Sequence, residues 1–544
     1  MFRSHLLCHE GFLKSFERTV SSFAMSLSWI LASVSAAEVL IGLAVFCLLF
    51  LVLQSFQRKT PQGLKKIPGP RGYPLVGNLL DVGKNVHLSL TQLSRTYGDI
   101  MMIHLGTKPV LVLSGLETIK EALVRQGEDF KGRPDLYVFR HVSDGQSLAF
   151  STDSGPVWFA RRKLTQKALK TFATLPSLTS FSPCLLEDLV SKEANHLMAK
   201  LQEVMLAKNR LDPHLYLTVA VANVILAICF GKRYDYEDEE LLNIVVNSEQ
   251  FAESTGSGSL VNFIPFLLYL PSSLKKLQNY NKQFNHFLQK NVKEHYESFR
   301  KDHIRDITDS LIEESQKQKL ESEGKIQLPP GMIVNLVNDI FGAGFSTVST
   351  GLSWSIMYLI SYPEIQKKIQ EEIDVTIGRE RKPRLSDRSL LPYTEAFILE
   401  VFRHSSFLPF TRPHCTTRDT FFKGYFIPKD LCVFINLWQV HHDENLWKDP
   451  SAFIPERFLT ASGKEINMDE REKVQIFGLG KRRCIGEPIA RRELFLFLAI
   501  LLQDLQFSVP DGVTVNMTPV FGLSLRHKRC EHVEVKQRFP KKTG

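Results

Sequence analysis

The sequence predicts a mostly α-helical body with a small β portion near each end, carried behind one N-terminal membrane helix. Three observations predict it. Helical periodicity dominates from about residue 160 to 405, whereas strand-like runs are confined to 100–113 and 421–437. The long apolar run Gly331 to Ile360 is broken by Asn335, Asn338 and Asp339, the pattern of a buried central helix rather than of a membrane span. An earlier run, Leu27 to Leu53, is apolar apart from Glu38, and ~20 such residues cross a bilayer.

Along the chain, residues 1–26 form an N-terminal extension of mixed charge, with Arg3, Lys14 and Arg18 against Glu10 and Glu17. Residues 27–56 are the anchor helix, with Glu38 about one third of the way in. Arg58, Lys59, Lys65 and Lys66 follow it. A basic flank favours the cytosol, so the body is expected on that side. Residues 57–74 form a basic hinge stiffened by Pro68, Pro70 and Pro74. Residues 75–544 show no internal repeat and read as one large domain. Within it, Gly342 and Gly344 each cost the central helix roughly 1 kcal/mol. Glycines there imply a kink or a close approach.

Composition narrows the function. Of 544 residues, 44% are hydrophobic and 23% charged, which excludes global disorder. Lys+Arg 67 against Asp+Glu 58 gives +9. That modest surplus suits anionic lipid or an acidic protein partner, not a dedicated nucleic-acid binder. Eight cysteines are too sparse for a disulfide scaffold, and none stands at zinc spacing. Cys8, Cys47, Cys184, Cys229, Cys415, Cys432 and Cys530 read as buried or incidental. Cys484 differs. It follows Phe477-Gly478-Leu479-Gly480-Lys481-Arg482-Arg483 and precedes Ile485, Gly486 and an apolar helix. Adjacent cations and a helix N-terminus both favour a thiolate, which is a metal ligand.

The motifs then fall in order. Phe477, Gly480, Arg482 and Cys484, followed by Gly486, meet F-x-x-G-x-R-x-C. Glu400 and Arg403 stand as E-x-x-R, Arg457 lies in Pro455-Glu456-Arg457-Phe458, and Trp158 and Arg162 stand as W-x-x-x-R. In these residues the chain resembles the cytochrome P450 superfamily of haem-thiolate monooxygenases, over residues 65 to about 530. The resemblance implies the cytochrome P450 fold and a haem b whose iron takes Cys484 as axial ligand. It implies a structural ion-pair cluster of Glu400, Arg403 and Arg457. It also implies propionate partners among Trp158, Arg162, His414 and Arg482. Ala343, Gly344, Ser346 and Thr347 match the oxygen-activation motif, with the Thr347 hydroxyl relaying protons. Ser346 stands where that motif has an acid, and Asp339 is a candidate substitute. This departure leaves a peroxide-driven or isomerase-type enzyme, or a non-catalytic haem protein, as alternatives.

Further stretches resemble family 1, the microsomal aryl-hydrocarbon hydroxylases: 132–137, 153–158, 341–345 and 403–410. The implied substrates are lipophilic and planar aromatic xenobiotics, with steroids or fatty acids beside them. Phe150, Phe251, Asp339, Phe345, Leu408 and Leu523 would line the pocket. Arg412 stands where that family has a small apolar residue. Two positions before His414 on an extended segment, it shares the haem-facing side. There it would favour an anionic ligand, pair with a propionate or turn to solvent. No G-x-G-x-x-G follows a strand, so electrons from NADPH must come through a partner. An NADPH–cytochrome reductase, with cytochrome b5 as a second candidate, would dock on Arg161, Arg162, Lys163, Lys167, Lys170, Lys481 and Arg483. The implied location is the endoplasmic reticulum membrane, single-pass with a cytosolic body, ahead of mitochondrial targeting.

Overall fold

The computed structural model describes residues 35–56, 65–174, 185–254, 263, 271–321 and 331–539. Two compact units emerge: residues 1–63 with 73–75, and 64–72 with 76–544. The described part of the first is helix α1, Ala36–Phe56, whose 21 residues extend ~32 Å. It opens on a capping box. The Ser35 backbone N–H and hydroxyl donate to Glu38 Oε2 at 2.8 and 3.1 Å, and Glu38 N–H reaches back to Ser35 Oγ at 3.3 Å. Glu38 therefore sits in the first turn of the described helix. The residues 27–34 assigned to the anchor lie outside the described residues, as do the extension and residues 57–64.

In the second unit, residues 65–72 of the expected hinge lie on the body. Met102 N–H donates to the Pro68 carbonyl at 2.8 Å, and a Cβ on Gly69 would fall 1.9 Å from the Met102 carbonyl oxygen. The longer helices are α2 Val86–Tyr97, α3 Pro156–Thr174, α4 Leu185–Lys208, α5 Pro213–Phe230, α6 Glu239–Ser254, α7 Pro271–Ser298, α8 Ile307–Glu321, α9 Met332–Ser361, α10 Pro363–Thr376, α11 Pro392–Ser405 and α12 Glu487–Asp504. The strands are β1 Ile100–Leu105, β2 Lys108–Leu113, β3 His414–Cys415, β4 Thr420–Phe422, β5 Tyr425–Ile427, β6 Cys432–Ile435, β7 Leu505–Ser508, β8 Pro519–Val520, β9 Arg526–His527 and β10 Glu534–Gln537. The four-stranded sheet runs β1-β2-β6-β3. In it β2 and β6 are parallel and the other pairs antiparallel.

Helix α9 is the predicted central helix, apolar nearly all round because helices pack on nearly every side. Its two mid-helix glycines serve close approach rather than a break. A Cβ on Gly344 would lie 3.2 Å from Ile225 of α5, and one on Gly342 3.4 Å from Phe284 of α7. α5 itself passes a length-and-apolarity test for a membrane span, yet 83% of it is buried in the body. It is core.

Candidate active site

The Cys484 loop is shaped by backbone before side chains. Cys484 N–H donates to the Phe477 carbonyl at 2.9 Å, closing the eight-residue turn. Gly480 has φ +66°, and a Cβ there would fall 1.8 Å from the Leu123 carbonyl oxygen. Only glycine fits both demands. Phe477 packs edge-on against Phe402 at 5.6 Å and lies under the Arg491 guanidinium at 4.7 Å. Gly486 is the N-cap of α12, and α12 holds the far side of the loop.

Behind the loop, Glu400 and Arg403 are both fully buried. They form a fork, Nε to Oε2 and Nη2 to Oε1, each 2.7 Å. Glu400 Oε1 also accepts from Ile454 N–H at 2.7 Å and Arg457 Nε at 3.2 Å. Arg403 donates further to the carbonyls of His441, Pro450 and Ala452. His441 passes the restraint on, because its Nε2 accepts Gln475 N–H at 3.0 Å, two residues before Phe477. An ion pair on α11 thus reaches the cysteine loop through one imidazole. His441 and Gln475 carry no motif that would have exposed this link in the sequence.

Three guanidinia surround one end of the loop. Arg482 lies 3.8 Å over the Trp158 ring, with Arg162 at 5.6 Å. Arg482 donates to the carbonyls of Lys131, Leu148 and Asp153. Arg133, which the motifs did not single out, donates to the carbonyls of Ala149, Arg412 and Pro413. Among the described residues, none of Arg133, Arg162 and Arg482 is ion-paired with a carboxylate. Burial, with the neighbouring cations Arg482, Arg412 and Arg162, holds Arg133 well below its ordinary pKa. Burial likewise lowers Arg482 to about 10. A cluster of uncompensated buried cations calls for an anion. The two propionates of a haem meet that need, and the accessible thiol of Cys484 nearby meets the need of its iron, whereas the Cys415 thiol is buried, so these residues fit the group.

Several expectations change in detail. Trp158 does not offer its indole N–H to an anion, because the Leu148 carbonyl already accepts it at 2.9 Å. Trp158 is instead the platform for the two arginines. His414 donates from Nδ1 to the Phe130 carbonyl at 2.8 Å, and burial holds its pKa well below the ordinary value. The Cys484 thiol is pushed up by burial. The N–H groups of Gly486 and Glu487 and the charge of Arg162 work against that shift without reversing it. The cations that were expected to favour the thiolate are spent elsewhere: Lys481 pairs with Glu128 at 2.8 Å, and Arg483 with Glu487 at 2.8 Å. A metal ion would then be what removes the proton. Arg161 is buried and bonded to the Gln146 carbonyl, so it leaves the expected basic docking face. Lys167 of that face is paired with Glu314.

On α9, Ala343 is exposed and Gly344, Ser346 and Thr347 half-buried, while the turns after Thr347 are fully buried. This is where the helix borders open space. Thr347 Oγ1 donates to the Ala343 carbonyl one turn earlier at 2.8 Å. Asp339 is held away, accepting from Ser147 Oγ and from Leu148 N–H at 2.6 Å, and burial raises its pKa to about 6. Leu148 therefore joins α9, Trp158 and Arg482 in one residue.

The aromatic pocket candidates divide. Phe150 packs on Phe139 at 4.8 Å, with the Arg412 guanidinium 5.8 Å from its ring centre. Leu523 N–H donates to the Ala252 carbonyl at 2.7 Å, beside Phe251, and the Leu523 carbonyl accepts from Arg412 Nη1 at 3.3 Å. Phe150, Arg412, Leu523 and the Phe251 turn are thereby linked. Phe251 also begins an aromatic ladder through Tyr280, Phe284 and Phe341 to Phe345. Phe345 at its end is fully buried and presents core, not wall. Leu408 is half-buried against the main core.

Comparison with known proteins agrees with this geometry. A family profile described as Cytochrome P450 matches residues 67–533. The chain is similar to Cytochrome P450 1A5 of Gallus gallus, 60% identical over 512 residues, covering 94% of this chain and 97% of the relative. It is similar to Cytochrome P450 1A1 of Homo sapiens, 56% identical over 507 residues, covering 93% and 99%. Cytochrome P450 1A2 of Oryctolagus cuniculus is 56% identical over 509 residues, covering 93% and 98%.

Proposed function

We propose, on the premise that this chain belongs to the cytochrome P450 family, that Cys484 is the axial iron ligand of a membrane-anchored monooxygenase for lipophilic, planar aromatic compounds. Its relatives place it in family 1, among haem-dependent monooxygenases of xenobiotics that use O₂ and electrons from NADPH delivered through a reductase. When bound, the haem supplies the oxygen-activating iron. The observation that carries the assignment of Cys484 is its loop: a lone thiol, a glycine that admits no Cβ, and a cluster of guanidinia without carboxylates.

The chain's own residues do the rest. Arg133, Arg162 and Arg482 bind and orient the propionates. Thr347 holds a proton at Oγ1 beside the open turn of α9 and passes it inward, with water standing in for the acid that Ser346 lacks. Phe150, Leu408 and Leu523 exclude water and stack on flat rings. Helix α1 is long enough to anchor the protein in the endoplasmic reticulum membrane with the body cytosolic. Lys163 and its exposed neighbours receive an acidic reductase, with cytochrome b5 as a second donor.

The carbon monoxide difference spectrum of the reduced, membrane-bound protein tests this. A strongly red-shifted Soret band establishes thiolate ligation, and a band typical of histidine- or thiol-ligated haem overturns it. For the relay, Thr347→Ala should raise hydrogen peroxide release per NADPH consumed severalfold while product falls. Ser346→Asp should lower it. Unchanged ratios in both variants would remove this turn from proton transfer.

A further inference from the structure

Arg412 is a buried-site cation that the machinery above does not use. Its Nη1 makes one hydrogen bond, to the Leu523 carbonyl at 3.3 Å, and its guanidinium lies 5.8 Å from the Phe150 ring centre. Both contacts are with pocket residues. Arg133 and Arg482 point differently, to main-chain carbonyls around residues 131–153 and 412–413. A guanidinium carries five N–H donors. Among the described residues, no carboxylate pairs with Arg412 and no second acceptor takes its remaining donors. Half-buried, with donors left over, it is an anion receptor with an apolar, aromatic floor.

We propose that Arg412 is a specificity-determining residue that binds the carboxylate of an amphipathic acid, so that this pocket prefers the anion over the neutral ester of the same chain. The proposal rests on the monooxygenase reading of the site. A planar carboxylate can take two parallel N–H bonds from the guanidinium, whereas an ester of the same chain offers no charge. The aliphatic body would lie along Phe150 and Leu523.

Lauric acid and methyl laurate separate charge from apolar bulk. Binding is followed by the substrate-induced Soret shift of the haem-loaded protein, and haem content by the carbon monoxide spectrum. The expected result is that the wild type binds the acid at least about ten-fold more tightly than the ester, since a charged hydrogen-bond pair is worth that much. Arg412→Leu should bring the ratio close to one by weakening the acid alone. Arg412→Lys should keep part of it. An unchanged ratio in Arg412→Leu overturns the proposal. So does a loss of haem in that variant with the ratio intact, which would make Arg412 a propionate partner instead. If the wild type itself lacks the thiolate band, the monooxygenase reading fails, whatever the ratio.

Discussion

Replacing Arg403 by leucine is expected to cost about 3–5 kcal/mol, because it breaks a fully buried ion pair and leaves Glu400 only the longer contact to Arg457. Glu400 keeps Arg457 and Ile454 N–H, but loses both 2.7 Å bonds of the fork. Three carbonyls, of His441, Pro450 and Ala452, lose a donor as well. Folded proteins hold only about 5–15 kcal/mol in reserve, so the loss takes a large share of the total. The urea midpoint of the variant should fall well below that of the wild type. Arg403→Lys should fall nearly as far, since an ammonium cannot make the fork. Double replacement of Glu400 and Arg403 by leucine should be milder than the sum of the single changes, because both ends of the buried fork are removed together. A midpoint for Arg403→Leu equal to the wild type would show that the fork is not what holds this region.

Gly480→Ala is expected to abolish thiolate-ligated haem while leaving the fold in place. The new Cβ would sit 1.8 Å from the Leu123 carbonyl oxygen, a backbone atom that cannot swing aside. Positive φ adds ~1–2 kcal/mol for an L residue. The loop must shift, and Cys484 shifts with it. Circular dichroism should retain the helical signal while the red-shifted carbon monoxide band disappears. Gly378 provides the control: it has φ +76° but open space where a Cβ would go. Gly378→Ala should carry the conformational cost alone and keep the band. A full band in Gly480→Ala would mean that the loop tolerates displacement.

Much of this architecture was legible in the sequence, and the reasons differ by element. The central helix was read as Gly331 to Ile360 and runs Met332–Ser361, because a long apolar run with few polar breaks has one outcome in a globular body. The hairpin Ile100–Leu113 was legible because its strands are local. The strands His414–Cys415 and Leu505–Ser508 were not, because two to four residues become strands only when a distant partner pairs with them. The cluster of Glu400, Arg403 and Arg457 could be named as a unit, but not the main-chain carbonyls that Arg403 and Arg482 also hold. Arg133 lies in the stretch 132–137 but was given no role of its own, and its importance appears only where burial removes its water. The Cys484 thiol is raised rather than lowered because burial, which the sequence does not show, outweighs the N–H groups of Gly486 and Glu487 and the charge of Arg162. Arg161 failed as a docking residue because α3 rotates it inward.

The Ser147–Phe150 turn has a consequence for how the pocket adapts to cargo of different shapes. Asp339 clamps its first two residues, Arg133 takes the carbonyl of its third, and Trp158 and Arg482 share the carbonyl of Leu148. Phe150 ends this turn, so it cannot retreat without loosening the platform beneath the arginines. If Phe150 lines the pocket as proposed, that wall is a fixed template. Adjustment to bulkier molecules would then fall to the segment where Leu523 N–H meets the Ala252 carbonyl, which no such clamp holds among the described contacts.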